Sequence, residues 1–148
     1  MLSISNQIFS VFLSSRKTSQ AMSVFVPQGY NRVMPYLILQ DAKSFMDFAM
    51  DVFGATEKAK HLNDDGSLMH GELNIGDSVI MIGQSSDQWG VQNAGLYVQV
   101  EDADVTYQKA IGAGAESIMQ PEDKDYGRSG GIKDQQGNTW WITSNKPQ

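Results

Sequence analysis

His70 and Glu72 stand two residues apart in Leu68-Met69-His70-Gly71-Glu72. On an extended strand that spacing puts both side chains on one face. A histidine next to a carboxylate can serve as a base with a group to orient it. The same pair could be part of a metal site, although no third ligand accompanies it, or simply a cross-strand polar pair near a rim. These two residues are the catalytic candidates. The other histidine, His61, lies beside lysines and an acidic turn and reads as solvent-exposed. The chain has no cysteine. Disulfides, thiol nucleophiles and cysteine-held zinc or iron–sulfur centres are therefore excluded. Two histidines also exclude a histidine-rich metal cage. Ser-His-Asp catalysis has no support, because no Gly-x-Ser-x-Gly occurs and neither histidine is near a suitable serine. Asp64-Asp65 and Glu122-Asp123 read as solvated turns without calcium-loop spacing.

The elements that would position these residues are legible. Arg32–Leu39 is an apolar, partly β-branched run, read as a strand. Gln40-Asp41-Ala42 starts a helix with Asp41 as N-cap. Ala42, Phe45, Met46, Ala49, Val52 and Phe53 then recur at helical spacing, and Gly54 ends the helix. Strands are expected over 56–62, 68–75 and 78–83, with turns at Asn63-Asp64-Asp65-Gly66 and Gly76-Asp77. The order then repeats. Residues 96–100 are read as a strand, Glu101-Asp102-Ala103 opens a helix over 103–112, and a strand covers 116–120. A loop at 121–127 leads to strands at 130–134 and 139–144. The two halves match at an offset of 61: Tyr36 with Tyr97, Asp41 with Asp102, Gly76 with Gly137. Two tandem βαβββ modules are the simplest reading, an α+β architecture.

The 148 residues fit one domain. Residues 1–29 are read as an N-terminal extension outside the fold and 30–148 as the domain. Module one spans 30–84, a Ser/Gln/Asn-rich linker 85–93 and module two 94–145. Residues 1–23 hold seven serines, two basic residues and no acid. Their short apolar piece precedes the charges, the wrong order for a signal peptide; an upstream extension or a transit peptide fits better. Residues 41–148 hold all seventeen acids and eight of the eleven bases, a formal charge of −9. That balance argues against nucleic acid as a partner. No apolar run approaches the roughly 20 residues needed to span a membrane.

The runs PYLILQDAKSFMDFAMDVFGA, DDGSLMHGELNIGDSVIMIG and YGRSGGIKDQQGNTWWIT together resemble the glyoxalase/bleomycin-resistance superfamily. This is also called the vicinal oxygen chelate superfamily, and the nearest branch looks PhnB-like. The resemblance covers about residues 30–145 and rests on the order and spacing of the motifs. It implies two βαβββ modules curled into a cup-shaped mixed sheet with helices on the outer face. It also implies a homodimer, and a cup that holds a metal, a substrate or a drug.

Metal-dependent members take ligands from the first and last strands of each module. By the resemblance these positions are Met34, Gly95, Trp141 and either Ile80 or Met81. None supplies a carboxylate oxygen or an imidazole nitrogen, so no metal and no cofactor is expected. The family also often carries Tyr-Gly-Asp-Arg where this chain has Tyr126-Gly127-Arg128. The guanidinium of Arg128 is thus expected to lack its usual acidic partner.

If the ligand positions face into the cup, alternation brings Met34, Tyr36, Ile38, Gly95, Tyr97, Gln99, Thr139, Trp141 and Thr143 with them. The opposite face carries Pro35, Leu37, Leu39, Leu96, Val98, Val100, Trp140 and Ile142, uniformly apolar as a helix-covered face should be. Aromatics, methionine and a few hydrogen-bonding groups suit a small-molecule pocket, or simply fill the cup as core. Met34, Tyr36, Tyr97, Gln99, Trp141, Trp89 and Arg128 are the ligand-binding candidates. The expected function is metal-free binding or sequestration of a partly aromatic, cationic compound, helped by the acidic charge. The alternatives are a lyase- or isomerase-type enzyme using His70 or a displaced metal site, and an interaction module with a closed cup. A cytoplasmic location suits the acidic, cysteine-free body.

Overall fold

The computed structural model describes residues 24–145, so the expectation for residues 1–23 lies outside it. Module one runs β1 (Tyr36–Leu39), α1 (Ala42–Phe53), β2 (Thr56–Leu62), β3 (Leu68–Ile75) and β4 (Ser78–Gln84). Module two runs β5 (Gly95–Gln99), α2 (Ala103–Gly112), β6 (Glu116–Lys124), β7 (Gly127–Lys133) and β8 (Thr139–Ser144). Each module makes its own four-stranded mixed sheet, in the orders β1-β4-β3-β2 and β5-β8-β7-β6. The parallel pairs are β1 with β4 and β5 with β8; all other pairs are antiparallel. The architecture is α+β in two tandem modules.

The helices begin where the two aspartates allow. Asp41 accepts the Ser44 N–H at 3.0 Å and Asp102 accepts the Val105 N–H at 3.0 Å. Each satisfies a donor that the first helical turn leaves free. Gly54 closes α1 at φ 65°, a left-handed backbone that favours glycine.

Two boundaries differ from the expected ones. The first strand starts at Tyr36 rather than Arg32. The Pro35 carbonyl takes the last ladder bond, from Met81 N, at 2.9 Å. The next available donor of β4, Val79 N, goes to the Asn31 side chain instead, so Arg32–Pro35 has no strand to pair with. The expected loop at 121–127 is instead a hairpin, with β6 reaching Lys124 and β7 starting at Gly127. Pro121 sits in an edge strand, where a missing N–H costs no ladder bond, at a register shift between Met119 and Glu122.

The helix-covered faces of both sheets share one core. Leu37, Leu39, Ile80, Ile82, Val98, Ile132 and Ile142 are buried there with Phe45 and Met46 of α1. Trp140, 1% exposed, ties the modules together: it stacks on Phe53 at 4.3 Å and on Phe45 at 6.0 Å between ring centres. Its indole N–H donates to Asp134 at 2.9 Å. The apolar alternation of β1, β5 and β8 is thus realised, except that Pro35 is exposed and Leu96 and Val100 are only half-buried. No helix among the described residues is long and apolar enough to cross a membrane.

Candidate functional site

Strand register assembles one face of module one row by row. Ile38, Gly83, His70 and His61 form one row across the sheet; Tyr36, Met81 and Glu72 form the next. Tyr36 lies over Gly83, where an added Cβ would come within 3.2 Å of its hydroxyl. The absent side chain lets the phenol lean across to His70. The two rings stack at 5.5 Å, and the hydroxyl lies 3.2 Å from His70 Nδ1. His70 Nε2 is 3.1 Å from Glu72, so the pair expected from their spacing is present. His61 is exposed, as expected, but its ring also stacks on His70 at 6.0 Å.

Tyr30 completes this face and has no signal in the sequence. A turn at 27–30 carries it over the sheet, where its hydroxyl donates to Glu72 at 2.7 Å. The Lys58 ammonium sits 4.3 Å above its ring, a cation–π contact. Burial by itself pushes the Glu72 carboxyl up. The hydrogen bonds from Tyr30 and His70, with the charges of His70 and Lys58, outweigh it and hold the group below the usual carboxylate range. The hydrogen bond to Glu72 raises the Tyr30 phenol above its ordinary value, helped by burial and the Glu72 charge. Glu72 is thus a buried, hydrogen-bonded anion at neutral pH.

Beside this cluster lies a groove of about 670 Å³. Tyr36, Ile38, Met69, Gly83, Trp89 and Gln92 line it among others. Trp89 comes from the linker, which a Gln92–Ile38 backbone bridge holds to the edge of β1. The structure therefore brings Tyr36 and Trp89 together.

The remaining candidates separate. Tyr97 and Gln99 line a different groove, of about 640 Å³, with Ile80, Leu96, Val98 and Trp140 among its walls. Trp141 pairs with Tyr97 in register and lies over Gly131. Met34 is half-buried ahead of β1 and lines neither groove.

Arg128, a ligand-binding candidate read from the turn as lacking an acidic partner, has one. In β7 it has the parity of the core residue Ile132, so it faces the helix side, away from Trp141. Its guanidinium grips Asp104 of α2 through Nε and Nη2 and donates to Asp123 through Nη1 at 3.2 Å. The hydrogen bond from Arg128 holds the Asp104 carboxyl below its ordinary range. A carboxyl lowered by folding stabilises the protein above its unfolded value and loses that contribution as pH falls through the folded one. Asp104→Asn is therefore expected to lower the urea midpoint at pH 7 and to leave it unchanged at a pH below the carboxylate range. The effect is small because the pair is half-exposed. An equal loss at both pH values would contradict this.

The residues at the family's metal positions do not fit a divalent ion. Met81 shares the Tyr36 face, whereas Ile80 lies in the core. Met34, Met81, Gly95 and Trp141 then offer thioethers, a bare backbone and an indole, none a hard or borderline donor. Among the described residues no three His, Asp or Glu side chains cluster to hold a metal ion.

The model of the Glyoxalase/Bleomycin resistance protein/Dioxygenase superfamily matches residues 29–142. The chain is 30% identical over 120 residues to the uncharacterized protein Rv0887c of Mycobacterium tuberculosis, covering 73% of this chain and 71% of that one. It is similar in structure to TioX from Micromonospora sp. ML1, with a TM-score of 0.64 and 22% identity over 80% of this chain and 98% of that one. It is also similar to TnmS3, an antibiotic binding protein from Streptomyces sp. CB03234, with a TM-score of 0.63 and 16% identity over 84% and 99%. The PhnB protein from Bacillus cereus gives a TM-score of 0.64 and 17% identity over 77% and 99%. At these identities the likeness to the solved structures is one of fold.

Proposed function

Because the chain belongs to the glyoxalase/bleomycin resistance protein/dioxygenase superfamily, we propose that it is a metal-free binding protein for a small, partly aromatic, cationic compound. The observation that carries this reading is the groove of about 670 Å³ shared by Tyr36, Met69 and Trp89. It has the aromatic and apolar walls, with a few amides, that small-molecule sites use. A cation is favoured by the buried Glu72 carboxylate beside it and by the −9 charge of residues 41–148. The residues at the metal positions supply no suitable donors, which supports a metal-free site. The antibiotic-binding use of the similarly folded TnmS3 fits the same reading.

A second copy of the chain would complete the cup. Tyr36, Tyr97 and Trp141 are 50%, 57% and 37% exposed on their sheets, aromatic surface that a partner copy would bury. Within the superfamily we place the chain in the PhnB-like branch, and its acidic, cysteine-free body in the cytoplasm.

The test is tryptophan fluorescence of the purified protein, titrated with aromatic and cationic drugs and then with Ni, Zn and Mn, alongside light scattering for mass. Saturable quenching by an organic cation, no metal response and a dimer mass are expected. A stoichiometric metal response would overturn the reading in favour of an enzyme with a displaced metal site.

A further inference from the structure

The Tyr36 phenol ends a chain of hydrogen bonds that starts at a buried carboxylate. Glu72 accepts from the Tyr30 hydroxyl at 2.7 Å and from His70 Nε2 at 3.1 Å. An ionised carboxylate only accepts, so Nε2 carries the proton; in the neutral ring Nδ1 is then the free lone pair. The Tyr36 hydroxyl, 3.2 Å from Nδ1, is its donor. Hydroxyl, imidazole and carboxylate in this order are the parts of an activated nucleophile: the reacting oxygen, the base that takes its proton and the group that orients the base. His61 and Lys58, both from β2, are the other titratable groups packed against this chain. The Tyr36 end opens to a groove. Glu72 is 7% exposed, whereas Tyr36 is half-exposed and forms a wall of the Trp89 groove.

We propose that Tyr36 is a nucleophile activated by His70, and that its substrate class is an acyl ester of an aromatic alcohol lying in the Trp89 groove. This rests on the reading of that groove as an aromatic-ligand site. The Tyr36 oxygen attacks the acyl carbonyl carbon while its proton passes to His70 Nδ1. The bond from that carbon to the aryl oxygen breaks, and the aryl oxide leaves with the electron pair. It collects the proton from His70, and the acyl group remains as an ester on Tyr36. Glu72, itself steadied by Tyr30, is a positioning residue that holds the imidazole while it is charged.

The test treats the full chain with p-nitrophenyl acetate and reads acetylated tyrosine by peptide mass spectrometry. Tyr126 and Tyr97, 61% and 57% exposed, serve as references within the same molecule. Tyr36 is expected to acetylate about 100-fold faster than either, the usual contribution of a positioned base. His70→Gln is expected to bring Tyr36 down to the reference rate. Glu72→Gln is expected to lower the Tyr36 rate and to change its pH profile, while Tyr126 in the same molecule keeps its native rate; 4-nitroacetanilide, an unreactive amide analogue, reports binding to the native protein. A Tyr36 rate no greater than that of Tyr126 in the native protein overturns the proposal without need of any variant. So does an unchanged rate in His70→Gln. Saturable quenching of tryptophan emission by 4-nitroacetanilide, with no labelling of Tyr36, overturns the nucleophile and leaves the binding site standing. Fast labelling of Tyr36 without such quenching supports the nucleophile and overturns the aromatic groove.

Discussion

Replacing Trp140 by alanine is expected to destabilise the protein by about 3–5 kcal/mol, the usual cost of deleting a large buried ring. The loss has three sources. The indole is 1% exposed and fills the space between the modules. Its stacking on Phe45 and Phe53 would be replaced by a cavity beside α1. Asp134 would lose one of its donors, though the Asn138 backbone and side-chain N–H groups would remain with it. Domains of this size hold only about 5–15 kcal/mol in reserve, so a large drop in urea midpoint should be visible at once. Trp140→Phe keeps most of the ring contact and should cost clearly less. A loss below about 1 kcal/mol for the alanine variant would mean that the cavity collapses at little cost and that the modules do not depend on this ring.

Removing either wall of the Trp89 groove is expected to weaken binding of an aromatic cation by about 30-fold, or about 2 kcal/mol, the scale of an aromatic hot spot. Tyr36→Ala and Trp89→Ala are the two variants. Calorimetric titration suits both, since Trp89→Ala removes a fluorophore. The probe is whichever aromatic cation of the drug panel saturates the native protein. Both changes lie at exposed or half-exposed positions, so the fold should tolerate them. Affinities within twofold of the native value for both variants would place the binding site elsewhere, with the Tyr97 groove next in line.

Period and punctuation made most of the fold legible. The α1 stripe from Ala42 to Val52 is buried as its spacing requires. Asp41, Asp102 and Gly54 cap the helices as their types suggest. The 61-residue echo corresponds to two sheets of identical strand order. The failures came where local signals are neutral. Val33 and Met34 read as strand, yet the ladder ends at Pro35 because the Asn31 side chain takes the next donor of β4. Pro121 read as a loop, yet an edge strand has no need of its N–H.

For the site, the division follows sequence distance. His70 and Glu72 lie on one strand two residues apart, so alternation alone placed them together. The residue types at the positions where the resemblance puts metal ligands, Met34, Gly95 and Trp141 among them, are likewise legible in the sequence. Tyr30 meets Glu72 across 42 residues and Tyr36 meets His70 across 34. Such contacts depend on which strands lie side by side and on the empty space above Gly83, neither of which a local pattern encodes. Arg128 shows the same limit from the other side. Its missing neighbour in the turn suggested a free guanidinium, but the parity of β7 aimed it at Asp104, 24 residues away on α2. The chain by itself determined the modules, the helix-covered faces and the chemistry available at each strand position, because these follow from periods of 3.6 and 2. Only the tertiary structure decided which of those groups meet, because strand order and register are set by packing over the whole core.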